Sequence, residues 1–422
     1  MRFITRKISG PAAWRAAGAI AGLILVLTGM PAAQADELSG RRLVFGGFGT
    51  LAADYNFSHG LEYRSNAGEA GDADPHRLQL GTDSVAGLQM NAALNHQLET
   101  VLQIVSRDNA EHRWRPRLTR GFVRYVPDEA IMLRAGRIGY EFFPHADSSD
   151  IGYAFLTMRP PVEIFGQLPQ LDFDGADVTL THPIGPGLGR LKLFGGKTSG
   201  TLLQNNGTRA DLSGSTIWGT QAQYLWGPWT AQLGTGWFVV AHPPSLQSLS
   251  DALDQTGQAQ AQALASQFET AHNRSTILSA ALTYDNGPWQ MRLYLTRIET
   301  ANITGPTEDI GNVTLGYGIG KVTPFVLLSR ARNYSHLQPT GLPDSPQTAD
   351  LNSAAELAQT LTQTNQSTAA AGLRYDFAPK MDLKFQIDRV WEQGSEFVLE
   401  RSPPPHGNGD LTVFGLALDF VF

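Results

Sequence analysis

The sequence predicts an all-β chain: a 16-stranded antiparallel transmembrane β-barrel with an inward-folded third extracellular loop. Three observations carry that expectation. Polarity alternates with period two from Arg41 to the end, the repeat of a strand with one apolar face. The connections alternate between minimal and long, as hairpins do at the two sides of a membrane barrel. The 422 residues, with 44 glycines, only 17% charged residues and a mean hydropathy of −0.19, hold no internal apolar run that would make a membrane helix, which needs about 20 residues.

The N-terminus carries an export signal. Arg2, Arg6, Lys7 and Arg15 form a basic region, residues 16–29 are apolar, and Ala33-Gln34-Ala35 is a small-x-small cleavage site. A retained anchor helix would need a longer apolar core than this, so residues 1–35 are expected to be a cleaved signal peptide and 36–422 a single barrel domain. Export by a bacterium with two membranes follows. Removing the leader leaves 28 Lys+Arg against 39 Asp+Glu, a net charge of −11. Such an acidic chain is a poor partner for nucleic acid. With no cysteine, disulfide scaffolds, Cys-bearing zinc sites and thiol catalysis are excluded.

Strands are predicted at 41–55, 79–94, 98–107, 117–126, 131–138, 175–183, 189–198 and 215–226 in the first half, and at 228–240, 274–285, 289–299, 311–318, 321–331, 368–377, 381–391 and 411–422 in the second. Each shows two faces. Asp177, Thr179 and Thr181 alternate with Val178, Leu180 and His182, and Asp382, Lys384, Gln386 and Asp388 alternate with Leu383, Phe385 and Ile387. A soluble sandwich would alternate too, but it gives no reason for minimal turns such as Gly227-Pro228, Asn286-Gly287-Pro288 and Ala378-Pro379-Lys380 to interleave with long connections at 56–78, 139–174, 241–273 and 332–367. Both termini are then periplasmic.

Aromatic residues gather at the strand ends: Trp226, Trp229, Trp289, Tyr284, Tyr317, Tyr375 and Phe377. Amphipathic rings of this kind mark a membrane–water boundary, although cross-strand aromatic pairing in any sheet would also use them. The chain stops on a strand whose Phe414, Leu416, Leu418, Phe420 and terminal Phe422 share one face.

The connection 139–174, expected to be the constriction loop, is rich in acids, with Glu141, Asp147, Asp150, Glu163, Asp172 and Asp174. Consecutive prolines in Met158-Arg159-Pro160-Pro161 stiffen it, and Tyr140, Phe142, Phe143, Tyr153 and Phe155 argue for order. A barrel this wide leaves an aqueous channel unless something narrows it. Facing the loop, strands four and five carry Arg120, Arg124, Arg134 and Arg137. Arginine on the lipid face at the midplane costs about 2–4 kcal/mol, which places Arg120, Arg124 and Arg134 inside; Arg137 breaks the parity and needs a bulge or a position above the bilayer. A basic wall (Arg120, Arg124, Arg134, Arg137) across from an acidic loop (Glu163, Asp172, Asp174) would set a transverse field and screen ions. The same arginines could instead only pin the loop down. Lys192, Arg292, Arg374 and Lys384, opposed by Asp177, Asp376, Asp382 and Asp388, are further lumen candidates. Short surface helices are expected at 258–268 and 353–361.

No enzyme constellation stands out. The ten histidines are scattered, neither His-Glu-x-x-His nor Gly-x-Ser-x-Gly occurs, and His145 with Asp147 reads as a chance pair. Neither metal nor cofactor is expected. A barrel hydrolase and a structural or adhesive barrel are the alternatives to a channel.

The leader, sixteen period-two strands, long third loop and terminal Phe422 resemble the proteobacterial trimeric porin superfamily. More narrowly, Leu133-Arg134-Ala135-Gly136-Arg137, Arg159-Pro160-Pro161-Val162-Glu163 and Asp174-Gly175-Ala176-Asp177 resemble a DcaP-like group. The resemblance implies an outer-membrane homotrimer, surrounded by outer-membrane lipid, with one pore per subunit for passive diffusion of small hydrophilic solutes. For the DcaP-like group it implies anions such as dicarboxylates. The chain departs from that group in lacking an evident coiled-coil segment before the first strand, so the particular solute does not carry over.

Overall fold

The structure is a computed structural model that describes residues 37–38, 41–58, 60–69, 76–109, 114–167, 172–203, 209–242, 245–269, 274–360, 362–395, 397–400 and 409–422. The expected leader, 1–35, lies outside them. Sixteen strands form the wall: β1 (Arg41–Asn56), β2 (Val85–Ala93), β3 (Leu98–Arg107), β4 (Arg117–Asp128), β5 (Ile131–Gly139), β6 (Asp172–Ile184), β7 (Gly187–Lys197) and β8 (Thr216–Trp226). The circuit continues with β9 (Trp229–Val239), β10 (Arg274–Asn286), β11 (Trp289–Thr300), β12 (Thr307–Tyr317), β13 (Val322–Asn333), β14 (Gln366–Ala378), β15 (Met381–Glu392) and β16 (Gly409–Val421). Each strand pairs antiparallel with its sequence neighbours, and β1 pairs with β16 from Phe48↔Val421 to Asn56↔Val413. That last pairing closes the sheet, so no edge is left unpaired.

Alternation sorts the side chains onto two faces. Along β15, Asp382, Lys384, Gln386 and Asp388 are buried while Leu383 and Phe385 are exposed. Along β13, Val326 and Leu328 are exposed, at 51% and 58%, while Phe325, Leu327 and Ser329 are buried. Exposed apolar residues continue around the wall (Phe45, Leu88, Ile104, Leu180, Leu193, Leu233, Leu295), an outer surface that water does not suit and lipid does. At one rim Trp229 packs on Tyr284 and Trp289 on Tyr317, with ring centroids 4.6 and 4.7 Å apart. The minimal turns lie at this rim. Three of them repeat Gly-Pro, at 185–186, 227–228 and 287–288, with φ of +55°, +51° and +56° at the glycine. A left-handed first residue followed by proline's fixed φ gives the two-residue hairpin whose twist matches the strands.

The opposite rim carries the long connections. Helices α2 (Gln247–Gln255) and α3 (Ala259–Glu269) from one of them, and α4 (Ala349–Thr360) from another, share a core of Leu253, Leu264, Phe268, Ala355 and Ala358; α1 is the single turn Val162–Phe165. The expected helices at 258–268 and 353–361 correspond to α3 and to a longer α4. α2 was not anticipated, because its Ser, Asp and Gln residues dilute an apolar stripe that only α3 completes. The expected strand 79–94 is two pieces: Leu78–Gln79 pairs with β1, then a turn closed by Ser84 N–H to the Gly81 carbonyl at 3.3 Å precedes β2. β6 and β12 begin earlier than expected, at Asp172 and Thr307.

The Gly-Pro turns are open, with nothing within 4 Å of a Cβ added at Gly227 or Gly287. Gly227→Ala and Gly287→Ala should therefore destabilise through the backbone alone, by about 1–2 kcal/mol each. Denaturant midpoints for refolding into detergent should fall for both, and an unchanged midpoint would mean that the turns relax without cost.

Candidate functional site

Residues 140–167 leave β5 and bond to inward-facing, buried or half-buried side chains of β9, β10, β14 and β15. Gln232 of β9 donates to the Glu141 carbonyl at 3.0 Å, and Ser279 of β10 donates to that of Phe142 at 2.9 Å. Arg374 of β14 donates to the carbonyls of Tyr153 and Phe155 at 2.9 and 3.0 Å. On β15, Lys384 donates to the Gly152 carbonyl at 2.7 Å and Gln386 accepts from Met158 N–H at 2.9 Å.

The centre of this attachment is Arg159. Its guanidinium, 4% exposed, donates to Asp54 of β1, Asp83 of the turn before β2 and Asp388 of β15 at 2.6, 2.6 and 2.7 Å. Its flat face lies 5.2 Å from the Tyr63 ring centroid. Burial works to lower the Arg159 pKa, but the surrounding Asp83, Asp388 and Asp54 outweigh it and hold the value well above that of an ordinary guanidinium. Beside it, fully buried Lys384 pairs with Asp419 at 2.9 Å, and Asp419 also bonds the Thr50 hydroxyl. Gly152 is required here, since an added Cβ would stand 2.1 Å from Asp419 Oδ1.

Toward β7–β13 the same segment packs through carbon. Phe165 meets Phe143, Phe155 and Tyr294 at centroid distances of 5.7, 5.9 and 5.8 Å, and Phe143 meets Tyr294 at 5.9 Å. Phe142 meets Phe194 at 5.5 Å, and Ile217, Phe238, Ile277 and Ile310 from the wall complete the core.

Among the described residues, two cavities lie along β2–β8. The upper, of about 470 Å³, is lined by Arg107, Arg117, Thr119, Arg120, Asp150, Arg159, Asp172 and residues of the long connections. The lower, of about 390 Å³, is lined by Arg124, Arg134, Glu141, Asp147, Arg190, Lys192 and Gln223. Between them Arg120 of the upper cavity donates to the Asp147 carbonyl of the lower at 3.2 Å.

The residues singled out from sequence take distinct positions. Arg120, Phe122 and Arg124 share the inward face of β4; Arg120 also donates to the Thr119 carbonyl at 2.8 Å, and Arg124 pairs with Glu99. Arg134 lies inside, bound to Asp177 at 2.9 Å and Glu141 at 2.9 Å. Lys192 also pairs with Glu141. Burial would raise the Glu141 pKa, but Lys192 and Arg134 bring it below its ordinary value of 4.5. Three expected members, Arg137, Asp174 and Glu163, stand elsewhere. Arg137 is on the face of Leu133 and Ala135, pairing with half-exposed Asp174 at 2.6 Å; register is unbroken there, so the rim position, not a bulge, resolves its parity. Glu163 is not opposite the arginines: it is buried against Gln366, at 2.7 Å, and Thr368 of β14. Asp172 binds Arg117 at 3.1 Å. Arg292 pairs with Asp285 at 2.8 Å, and Arg374 with Asp376 and Asp382 at 2.9 and 3.0 Å. Arg159 was passed over in sequence; its signal was a lone cation in an acidic loop with an excess of inward aspartates on the strands.

Solved structures share this architecture. OprB of Pseudomonas putida aligns with TM-score 0.54 and 14% identity, over 91% of this chain and 94% of that one. The outer membrane channel DcaP of Acinetobacter baumannii gives 0.52 and 11%, over 93% and 100%, and an anion-selective porin from Comamonas acidovorans gives 0.50 and 12%, over 90% and 100%. The fold is a porin fold. No protein-family model and no curated protein sequence matches the chain. Within the porin fold the connection after the fifth strand is here the segment 140–167.

Two outcomes follow for this segment. Arg159→Met leaves three carboxylates without their cation, a loss of about 3–5 kcal/mol, and limited proteolysis should cut within 140–167 far sooner than in the parent. Arg137→Met removes an outward ion pair worth about 0–1 kcal/mol and should leave the cleavage rate alone. Because the Glu141 pKa is depressed on folding, its tie to Lys192 and Arg134 stabilises above pH 4.5 and is lost as pH falls through the depressed value. Hydrogen-exchange protection at 140–143 should accordingly fall as the pH is taken below 4.5 and through the depressed value, and a pH-independent profile would remove Glu141 from the attachment.

Proposed function

We propose that the protein is an outer-membrane porin, a homotrimer in lipid, through which small hydrophilic solutes diffuse passively along β2–β8 past Arg120 and Asp147. The observation that carries this reading is the pair of cavities, lined by charged side chains, that meet at the Arg120–Asp147 contact. A modest preference for small anions belongs to the same proposal. Six arginines face five carboxylates around the upper cavity, and four cations face three carboxylates around the lower. In a narrow passage these nearby charges outweigh the acidic remainder of the chain, since charges beyond about 8–10 Å are screened at physiological salt. The solved anion-selective porin of the same fold is in keeping with this sign. Dicarboxylates, implied by the sequence resemblance, are the first solutes to try.

Planar bilayers test the proposal. The purified protein should give long-lived ohmic steps without nucleotide or metal, and Arg120→Ala with Arg124→Ala should raise conductance and shift the reversal potential in a salt gradient toward cations. Lys384→Met should shift it less, because Lys384 is fully buried between Asp382 and Asp419 on the opposite wall. A silent bilayer together with lipid or peptide hydrolysis would make the protein an enzyme instead. Orientation is tested separately: single cysteines at Asp344, in a long connection, and Asn286, in a minimal turn, should be labelled on intact cells at the first position only.

A further inference from the structure

On the outer surface of β10–β13 two register rows run side by side. One joins Ala280, Leu295, Gly311 and Arg330; the next, closer to the long connections, joins Leu278, Arg297, Asp309 and Arg332. With no side chain at Gly311, the rows leave an open furrow of about 630 Å³, bounded above by Tyr334. Its lower part is apolar, with Leu278 and Leu295 exposed at 47% and 49%. Its upper part is basic. Arg297 binds Asp309 with two bonds, at 2.6 and 2.7 Å, and reaches Glu299 at 3.9 Å. Arg330 donates to the Ser367 hydroxyl at 2.7 Å, and the Arg332 guanidinium lies 4.9 Å from the Tyr334 ring centroid. Three guanidiniums thus meet two carboxylates, with Asp309 feeling the charge of Arg332 as well as that of Arg297, and Arg330 and Arg332 are both exposed on the outward face.

The height of this cluster decides what it faces. Trp289 and Tyr317 mark the far rim of the apolar wall, and Arg297 stands eight residues along β11 from Trp289. At about 3.3 Å per residue and a tilt of about 40°, that is roughly 20 Å, close to the full apolar band of a barrel. Arg297 and Arg332, which share a row, therefore lie at the level of the headgroups on the long-connection side, where outward-facing cations are tolerated. Arg330, two residues nearer the midplane, has a side chain long enough to reach the same level. Phosphate suits them, because planar guanidinium groups match its oxygens in pairs. A free phosphate would leave the apolar half of the furrow in water; a lipid covers both halves.

We propose that this furrow is a binding site for a phosphorylated membrane lipid, its phosphate held by Arg297, Arg330 and Arg332 and an acyl chain lying along Leu278, Leu295 and Gly311. The proposal rests on the outer-membrane reading but not on the ion preference of the passage. The full chain in non-ionic detergent is titrated with dioleoyl phosphatidic acid, with dioleoylglycerol, and with inorganic phosphate as competitor, bound lipid being read by native mass spectrometry. Phosphatidic acid should be retained, dioleoylglycerol should not, and inorganic phosphate should displace little. Arg330→Gln with Arg332→Gln should weaken retention about tenfold or more, the loss expected for two charge-assisted contacts. Gly311→Val, whose Cβ would meet only Leu295 Cδ2 at 3.5 Å, should weaken it with every arginine in place, which a diffuse basic patch would not. All these positions face away from the passage, so each variant should conduct as the parent does. Parental retention in a conducting double variant, equal retention of dioleoylglycerol, or ready displacement by inorganic phosphate overturns the site. A parent that binds lipid but never conducts overturns the channel reading and leaves the site standing.

Discussion

Arg159 organises the interior. A buried guanidinium is costly to desolvate, and it is stable here because three carboxylates and an aromatic face surround it. Those carboxylates come from β1, from the turn before β2 and from β15, so one side chain fixes the middle of residues 140–167 against three separate parts of the wall. The bonds from Lys384, Gln386 and Arg374 to the neighbouring backbone extend that register in both directions. Without the central cation the same wall would present a cluster of uncompensated aspartates to a segment that is itself acidic.

The attachment divides the barrel unequally. Toward β7–β16 the interior holds ion pairs and an aromatic core, whereas along β2–β8 lie two cavities lined by charged groups, several of them buried. These cavities are therefore eccentric, and a solute within them would meet one polar wall on the strand side and Glu141, Asp147, Asp150 and Arg159 of the segment on the other. The Arg120 guanidinium crosses the gap between the two cavities because Gly139, at the end of β5, leaves it room: a Cβ there would lie 2.6 Å from Nη2.

Much of this was legible in the sequence, and the limits are physical. Period-two alternation assigns a face to Arg120, Arg134 or Leu383 without knowledge of anything distant, and the Gly-Pro turns set strand ends on one rim. Alternation does not say which inward side chain meets which across a lumen. Glu163 has the composition of a constriction acid, yet it is spent on Gln366 and Thr368, while the arginine it was expected to face bonds a backbone carbonyl at Asp147. Aromatic residues in the segment argued for order, but the inward Ile217, Phe238, Ile277 and Ile310 that receive them break the polar-inside pattern, and only packing explains them. Arg137 sits on an outward face as parity dictates, a position that the cost of lipid-facing charge forbids at mid-depth and permits at a rim.

The partners of Arg159 include one strand from each side of the barrel's closing pair. Asp54 lies on β1 and Asp388 on β15, next to β16, and Thr50 of β1 bonds Asp419 of β16 just beneath Gly152. The place where the first and last strands meet is thus sewn from within by a segment that departs after the fifth. Zipping of that seam and seating of the segment become one cooperative act, so a chain whose ends have met but whose interior is still wet is missing the cation that neutralises its own join.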